Sequence, residues 1–178
     1  SAAYVSLLIS YVYEGTAYGT MDIDQNFFDI LEATARKAVA IDPGDADAQA
    51  VLALSAATKG THTEAWAQIS DALAANPNSY LAVAVGGINR AWAGYPAEGR
   101  VLLEGAVKMN PRDPLNPYLH SIIAASHYME KQYEHAIDVA RRALVEWPHF
   151  QHARGWLAAS LAQLGHHEEA KQHFHETY

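Results

Sequence analysis

"LAQLGHHEEAKQHFHE", residues 161–176, holds four histidines and three glutamates. Such a run is either a metal-dependent centre or the polar outside of a helix in a repeated unit, and the choice decides the fold. Four prolines settle it. They close similar stretches, Ile41-Asp42-Pro43, Ala75-Asn76-Pro77, Met109-Asn110-Pro111 and Glu146-Trp147-Pro148, with spacings of 34, 34 and 37 residues. Proline lacks an N–H and clashes with the preceding turn, so each one marks the close of a helical unit. A recurring unit changes the meaning of every residue inside it.

Aligning on the prolines brings small residues into register. Ala65, Gly99, Ala136 and Ala170 share one place in the period, and Ala38, Ala72, Ala106 and Ala143 share another. Ala53, Gly87, Ala124 and Ala158 form a third set. Small residues at fixed places let two antiparallel helices approach closely, whereas large side chains would force them apart. The stretch 80–114 has glycine at both facing places, Gly87 and Gly99, which predicts a very close crossing there. Between the paired helices stand Lys59-Gly60-Thr61, Ala93-Gly94-Tyr95, Lys131-Gln132-Tyr133 and Leu164-Gly165-His166. Three of these turns carry the glycine that a left-handed helix cap requires.

In this register "QLGHHEEA" lies under "TKGTHTEA", "WAGYPAEG" and "MEKQYEHA". His166 and His167 are then turn residues, and Glu168 and Glu169 open the following helix, where acidic groups complement the free N–H groups and the helix dipole. Glu169 and His173 share a helix face, but no His-Glu-x-x-His arrangement supplies two nitrogens and a base. No metal site and no cofactor are expected. Thr61-His62-Thr63-Glu64 fits a capping box, and Asn116-Pro117 fits an N-cap followed by a first helical residue.

The pattern resembles the tetratricopeptide repeat, a helix-turn-helix of about 34 residues. The likeness implies an all-α fold, a right-handed superhelical array (α-solenoid) of about five units within one domain, 1–178. The units are 2–43, 46–79, 80–114, 117–150 and 151–178. Arg90 and His127 depart from the family, which usually has tyrosine there, and the loop "GTAYGTMDID" (15–24) stretches the first unit.

Composition agrees with close-packed helices: half the 178 residues are apolar and 18% are charged. A net charge of −8, with the twelve Lys and Arg scattered, leaves no basic stripe for nucleic acid. There is no cysteine for a disulfide or thiolate site. No apolar run reaches the length of a membrane span, and the start "SAAYVSLLISYVYEG" lacks the basic region of a signal peptide. A cytoplasmic protein with no membrane partner is expected. Tyr4, Val5, Leu8, Ile9, Tyr11, Val12 and Tyr13 make the opening segment apolar nearly all round. It reads as part of a longer protein, to be covered by an upstream domain or a second copy, or by its own loop.

In the family, first helices of successive units line a concave groove. Carried over, the resemblance places Leu54, Ile88, Trp92, Tyr118, Ile122, Tyr128, Met129 and Trp156 on it as partner-binding residues. No Lys, Arg or Asn stands among the groove positions to clamp a C-terminal carboxylate, so an apolar or aromatic peptide, helix or partner domain is the expected ligand. No phosphate loop or nucleophile elbow occurs, and no enzyme activity is expected within these residues. The function this implies is a protein-interaction scaffold. The alternative is a regulatory or dimerising region of a multidomain protein. "MNPRDPLNPYLH", "YEHAIDVARRAL" and "LAASLAQLGHHEEA" resemble repeats that follow the catalytic domain in some bacterial class III adenylate cyclases, and those of some winged-helix regulators.

Overall fold

Glycine at a turn permits a backbone that other residues resist, and the turns show this directly. Gly60, Gly94 and Gly165 have φ of 83°, 93° and 82°. Lys131 occupies the same place in its turn and is forced to φ 60°. Behind each, an amide reaches back five residues: Thr61 to Ala56, Tyr95 to Arg90, Gln132 to His127 and His166 to Leu161, at 2.9–3.1 Å. These bonds satisfy carbonyls that the helix end leaves free.

The computed structural model describes residues 25–175 and, before them, residues 6, 7 and 10. The expectations for the opening helix and its loop fall outside the described residues. Along the described chain run α1 (Gln25–Ile41), α2 (Ala46–Thr58), α3 (His62–Ala75), α4 (Tyr80–Trp92), α5 (Pro96–Met109), α6 (Asn116–Met129), α7 (Tyr133–Glu146), α8 (Gln151–Gln163) and α9 (His167–His175). Every regular element among the described residues is an α-helix. The helices α2/α3, α4/α5, α6/α7 and α8/α9 pack as pairs, and the first helices α2, α4, α6 and α8 follow one another side by side.

The prolines do more than stop a helix. Each is the second residue of a turn closed by a backbone bond: Asp45 to Asp42, Ser79 to Asn76, Asp113 to Asn110 and Phe150 to Trp147, at 3.0–3.2 Å. Proline suits that place because its φ is already set. In two of these turns the last residue also caps the next helix. Asp45 accepts from the amides of Asp47 and Ala48, and Ser79 accepts from Ala82 while donating to Asp47. The 37-residue spacing has a local cause as well. After Asp113 a second turn is inserted, closed by the Asn116 amide on the Asp113 carbonyl at 3.0 Å, before α6 begins.

Two capping expectations are corrected. Thr61 makes no side-chain cap to α3; its hydroxyl donates to the Ala56 carbonyl at 2.9 Å, drawn there by the left-handed turn. Asn116 is the first residue of α6 rather than its cap, and its side-chain amide donates to the Asn110 carbonyl at 3.0 Å. The carboxylate of Asp113 instead accepts the Leu115 amide at 2.8 Å.

Small residues lie where pairs meet. Ala53 and Ala65, Gly87 and Gly99, Ala124 and Ala136, and Ala158 and Ala170 are all buried. At the glycine pair the backbones themselves touch. A Cβ on Gly99 would lie 2.5 Å from the Ala91 nitrogen and 2.7 Å from the Gly87 carbonyl oxygen. Gly105, on the same helix, has only Val83 at 4.0 Å. We expect Gly99→Ala to destabilise the fold by about 1–3 kcal/mol through overpacking, and Gly105→Ala to stabilise it by about 0.5–1 kcal/mol through helix propensity. Urea midpoints of the two variants check this, and equal shifts would refute the close crossing.

Lys131→Gly removes the cost of a left-handed side chain at a single residue. It should raise stability by about 1 kcal/mol, read as a rise in the thermal midpoint without change in helicity.

Candidate protein-binding face

The first helices bring three rings into one row. Trp92 ends α4, Tyr128 lies in the last turn of α6, and Trp156 sits near the middle of α8. Trp92 and Trp156 have ring centroids 6.3 Å apart, and Trp156 and Tyr128 5.5 Å apart. Trp92 is 44% exposed and Met129, next to Tyr128, is 39% exposed. Aromatic groups tilted at these distances hold one another in place and still offer apolar area to a visitor.

The other expected residues divide. Ile122 is 2% exposed inside the α4–α6 core cluster and cannot reach a partner. Ile88 packs half-buried against the same cluster, and Leu54 against that of α2–α4. Tyr118 belongs to a second ring group at the opposite end of α6, with Phe150 at 6.3 Å, which in turn meets Trp147 edge-on at 5.1 Å. Burial raises the Tyr118 phenol above its ordinary value and keeps it neutral. Tyr133, absent from the expected set, extends the first row at 5.5 Å from Tyr128. It is the first residue of α7, so a search confined to first helices passes over it.

The two departures from the repeat pattern are both structural. Arg90 replaces tyrosine by lying over the Tyr95 ring at 3.8 Å and the Trp66 ring at 4.7 Å, with its Nε bonded to Glu98 at 2.9 Å. Its guanidinium is a flat group doing what a ring would do. His127 stacks on His135 at 5.4 Å and bonds Gln132 at 2.7 Å. His166, His167 and Glu168 are exposed, and Glu169 bonds Arg141 at 2.8 Å. No group of three or more His, Asp, Glu or Cys able to hold a metal occurs among the described residues. No described helix is long and apolar enough to cross a membrane.

No protein-family model and no curated protein matches the chain. Solved structures do. MamA of AMB-1 is 20% identical with a TM-score of 0.70, over 98% of this chain and 95% of that one. MamA of Desulfovibrio magneticus RS-1 is 15% identical with a TM-score of 0.70, over 99% and 92%. PilF of Pseudomonas aeruginosa is 19% identical with a TM-score of 0.74, over 99% of this chain and 74% of that one. The likeness is one of fold: all three are helical repeat proteins of the tetratricopeptide type. The chain is an all-α repeat array of that type.

A pH dependence follows from His127. Burial lowers its imidazole below the ordinary 6.5, a shift opposed by the Gln132 bond and by Glu104 and aided by Arg100 and His135. The folded chain therefore holds this group neutral while the unfolded chain binds a proton near 6.5. Its contribution to stability is complete above that pH and is lost as pH falls below it. Burial lowers His120 in the same direction. We expect the urea midpoint to drop between about pH 7.5 and about pH 5.5, and His127→Tyr to lessen that drop; an identical drop in the variant would refute the assignment.

Proposed function

We propose that the chain is a protein-interaction scaffold whose inner face binds an apolar or aromatic peptide, or one helix of a partner protein. The observation that carries this reading is the row Trp92, Trp156 and Tyr128. It crosses three consecutive first helices, and exposed Met129 follows Tyr128 in the chain. Rings and methionine are frequent anchors at interfaces because they supply large contact area at little entropic cost. A rigid array holds them at fixed separation, so a ligand meets a preformed surface and loses less on binding. The tetratricopeptide-type fold supports protein binding, as does the lack of Lys, Arg and Asn at the groove positions, which favours an apolar ligand over an acidic one.

The test is selection from a displayed peptide library against the purified chain. Recovered peptides should be rich in aromatic and aliphatic residues. The double variant Trp92→Ala, Met129→Ala should bind them at least about tenfold more weakly, as expected when anchors are removed, with helicity unchanged by circular dichroism. Equal affinity for the variant would place the binding surface elsewhere.

A further inference from the structure

One register position governs how each pair meets the next. The residue eleven before the closing proline of the first unit is Glu32, and its register mates, each following the small residue of its second helix, are Trp66, Arg100, Ile137 and Lys171. The first three each meet a group at the far end of the following first helix, with matching chemistry, and the fourth lies in one apolar cluster with it. Glu32 pairs with Lys59, just past α2; hydrogen bonds from Lys59 and then Arg36 hold its carboxyl at about 2. Trp66 lies under Arg90, in the last turn of α4. Arg100 pairs at 3.2 Å with Glu130, just past α6. Ile137 shares an apolar cluster with Leu164, just past α8. Anion meets cation, ring meets guanidinium, cation meets anion, and the fourth junction is aliphatic.

Lys171 is the last of the series, and no first helix follows it among the described residues. It bonds Glu168 on its own helix at 2.9 Å, and both side chains are largely exposed, at 65% and 86%. Beside it lies an open cleft of about 970 Å³ between α8 and α9, lined by Gly155, Ala159, Ala162 and Phe174 among others. The register mates of these residues show what the cleft is shaped for. Ser121 and Ala125, matching Gly155 and Ala159, are 2% and 0% exposed where α8 covers them. Ile69, Leu103 and Ala140, matching Phe174, are each at 0%, whereas Phe174 is at 54%.

We propose that the α8/α9 groove is a docking site for an amphipathic helix of a partner protein, seated as the next first helix would be and bringing a carboxylate just past its last turn to Lys171. Continuity with the grooves of the preceding pairs supplies the shape, and the complementary series supplies the charge. Trp156 borders both this groove and the inner aromatic row, but the proposal is argued from the groove's shape and the junction series and does not rest on that reading.

The probe is a labelled, helix-constrained peptide of residues 116–130, NPYLHSIIAASHYME. In the intact chain this segment fills the α4/α5 groove and brings Glu130 to Arg100. Fluorescence anisotropy with the full chain should show saturable binding. Ala162→Glu, at an exposed position in the groove, should weaken it at least about tenfold by placing a charge in an apolar contact. Val145→Glu, 81% exposed on α7, should leave it unchanged. Lys171→Glu should weaken it about three- to tenfold through like-charge repulsion, and a peptide with Glu130→Lys should restore binding to that variant. Lack of saturable binding, indifference to Ala162→Glu, or failure of the exchanged charges to restore affinity would each overturn the proposal. It would be overturned equally if light scattering showed a dimer that Ala162→Glu dissociates, since the occupant would then be a second copy of the chain.

Discussion

Everything in this array depends on how closely two backbones can lie. Where Gly87 faces Gly99, main-chain atoms of α4 and α5 are in contact, and even one methyl group would overlap them. The other pairs meet through alanines that are all but completely buried. Close pairing matters because each helix alone buries too little apolar surface to be stable, so the pair is the smallest folding piece and its neighbours complete it. Contacts then stay local along the chain. The same geometry recurs about every 34 residues, and side chains that differ between units are free to serve the junctions or a ligand.

Those junctions carry the chemistry that distinguishes one unit from the next. The helix backbones repeat, yet one register position of the second helix meets a different group at each junction, from Glu32 with Lys59 to Trp66 with Arg90 to Arg100 with Glu130. Such matched differences favour one order of stacking over a shifted one, since a displaced unit would set like charges or an unmatched ring against its neighbour. Arg90 shows the economy of the arrangement. Between Tyr95 and Trp66 it fills the place of a ring, and its charge is answered by Glu98.

The side chains assigned to the groove differ in how far they are exposed. Period alone places a residue on a helix side, but neighbouring helices decide whether that side is open. Ile122 and Trp92 are both assigned to one groove, yet α4 and α5 close over Ile122 while Trp92 stands at a helix end with less above it. Tyr118 and Tyr128 belong to one helix and one predicted face. They are nearly three turns apart, so each joins a different ring group.

What the residues determine by themselves is whatever local physics controls. Proline and glycine set the turns, small residues set the helix pairing, and the spacing of both makes a helical repeat readable without coordinates. The histidines of residues 161–176 lose their appearance of a metal centre for the same reason, since the register assigns them to a turn and a polar helix face. Tertiary structure alone decides the extra turn after Asp113, the cap that Thr61 does not make, the closing of Trp92, Tyr128 and Trp156 into one row, and the exposure of Phe174. Each of these depends on atoms far apart in the chain, or on which of two available partners a hydroxyl or ring reaches first, and no local pattern encodes that distance.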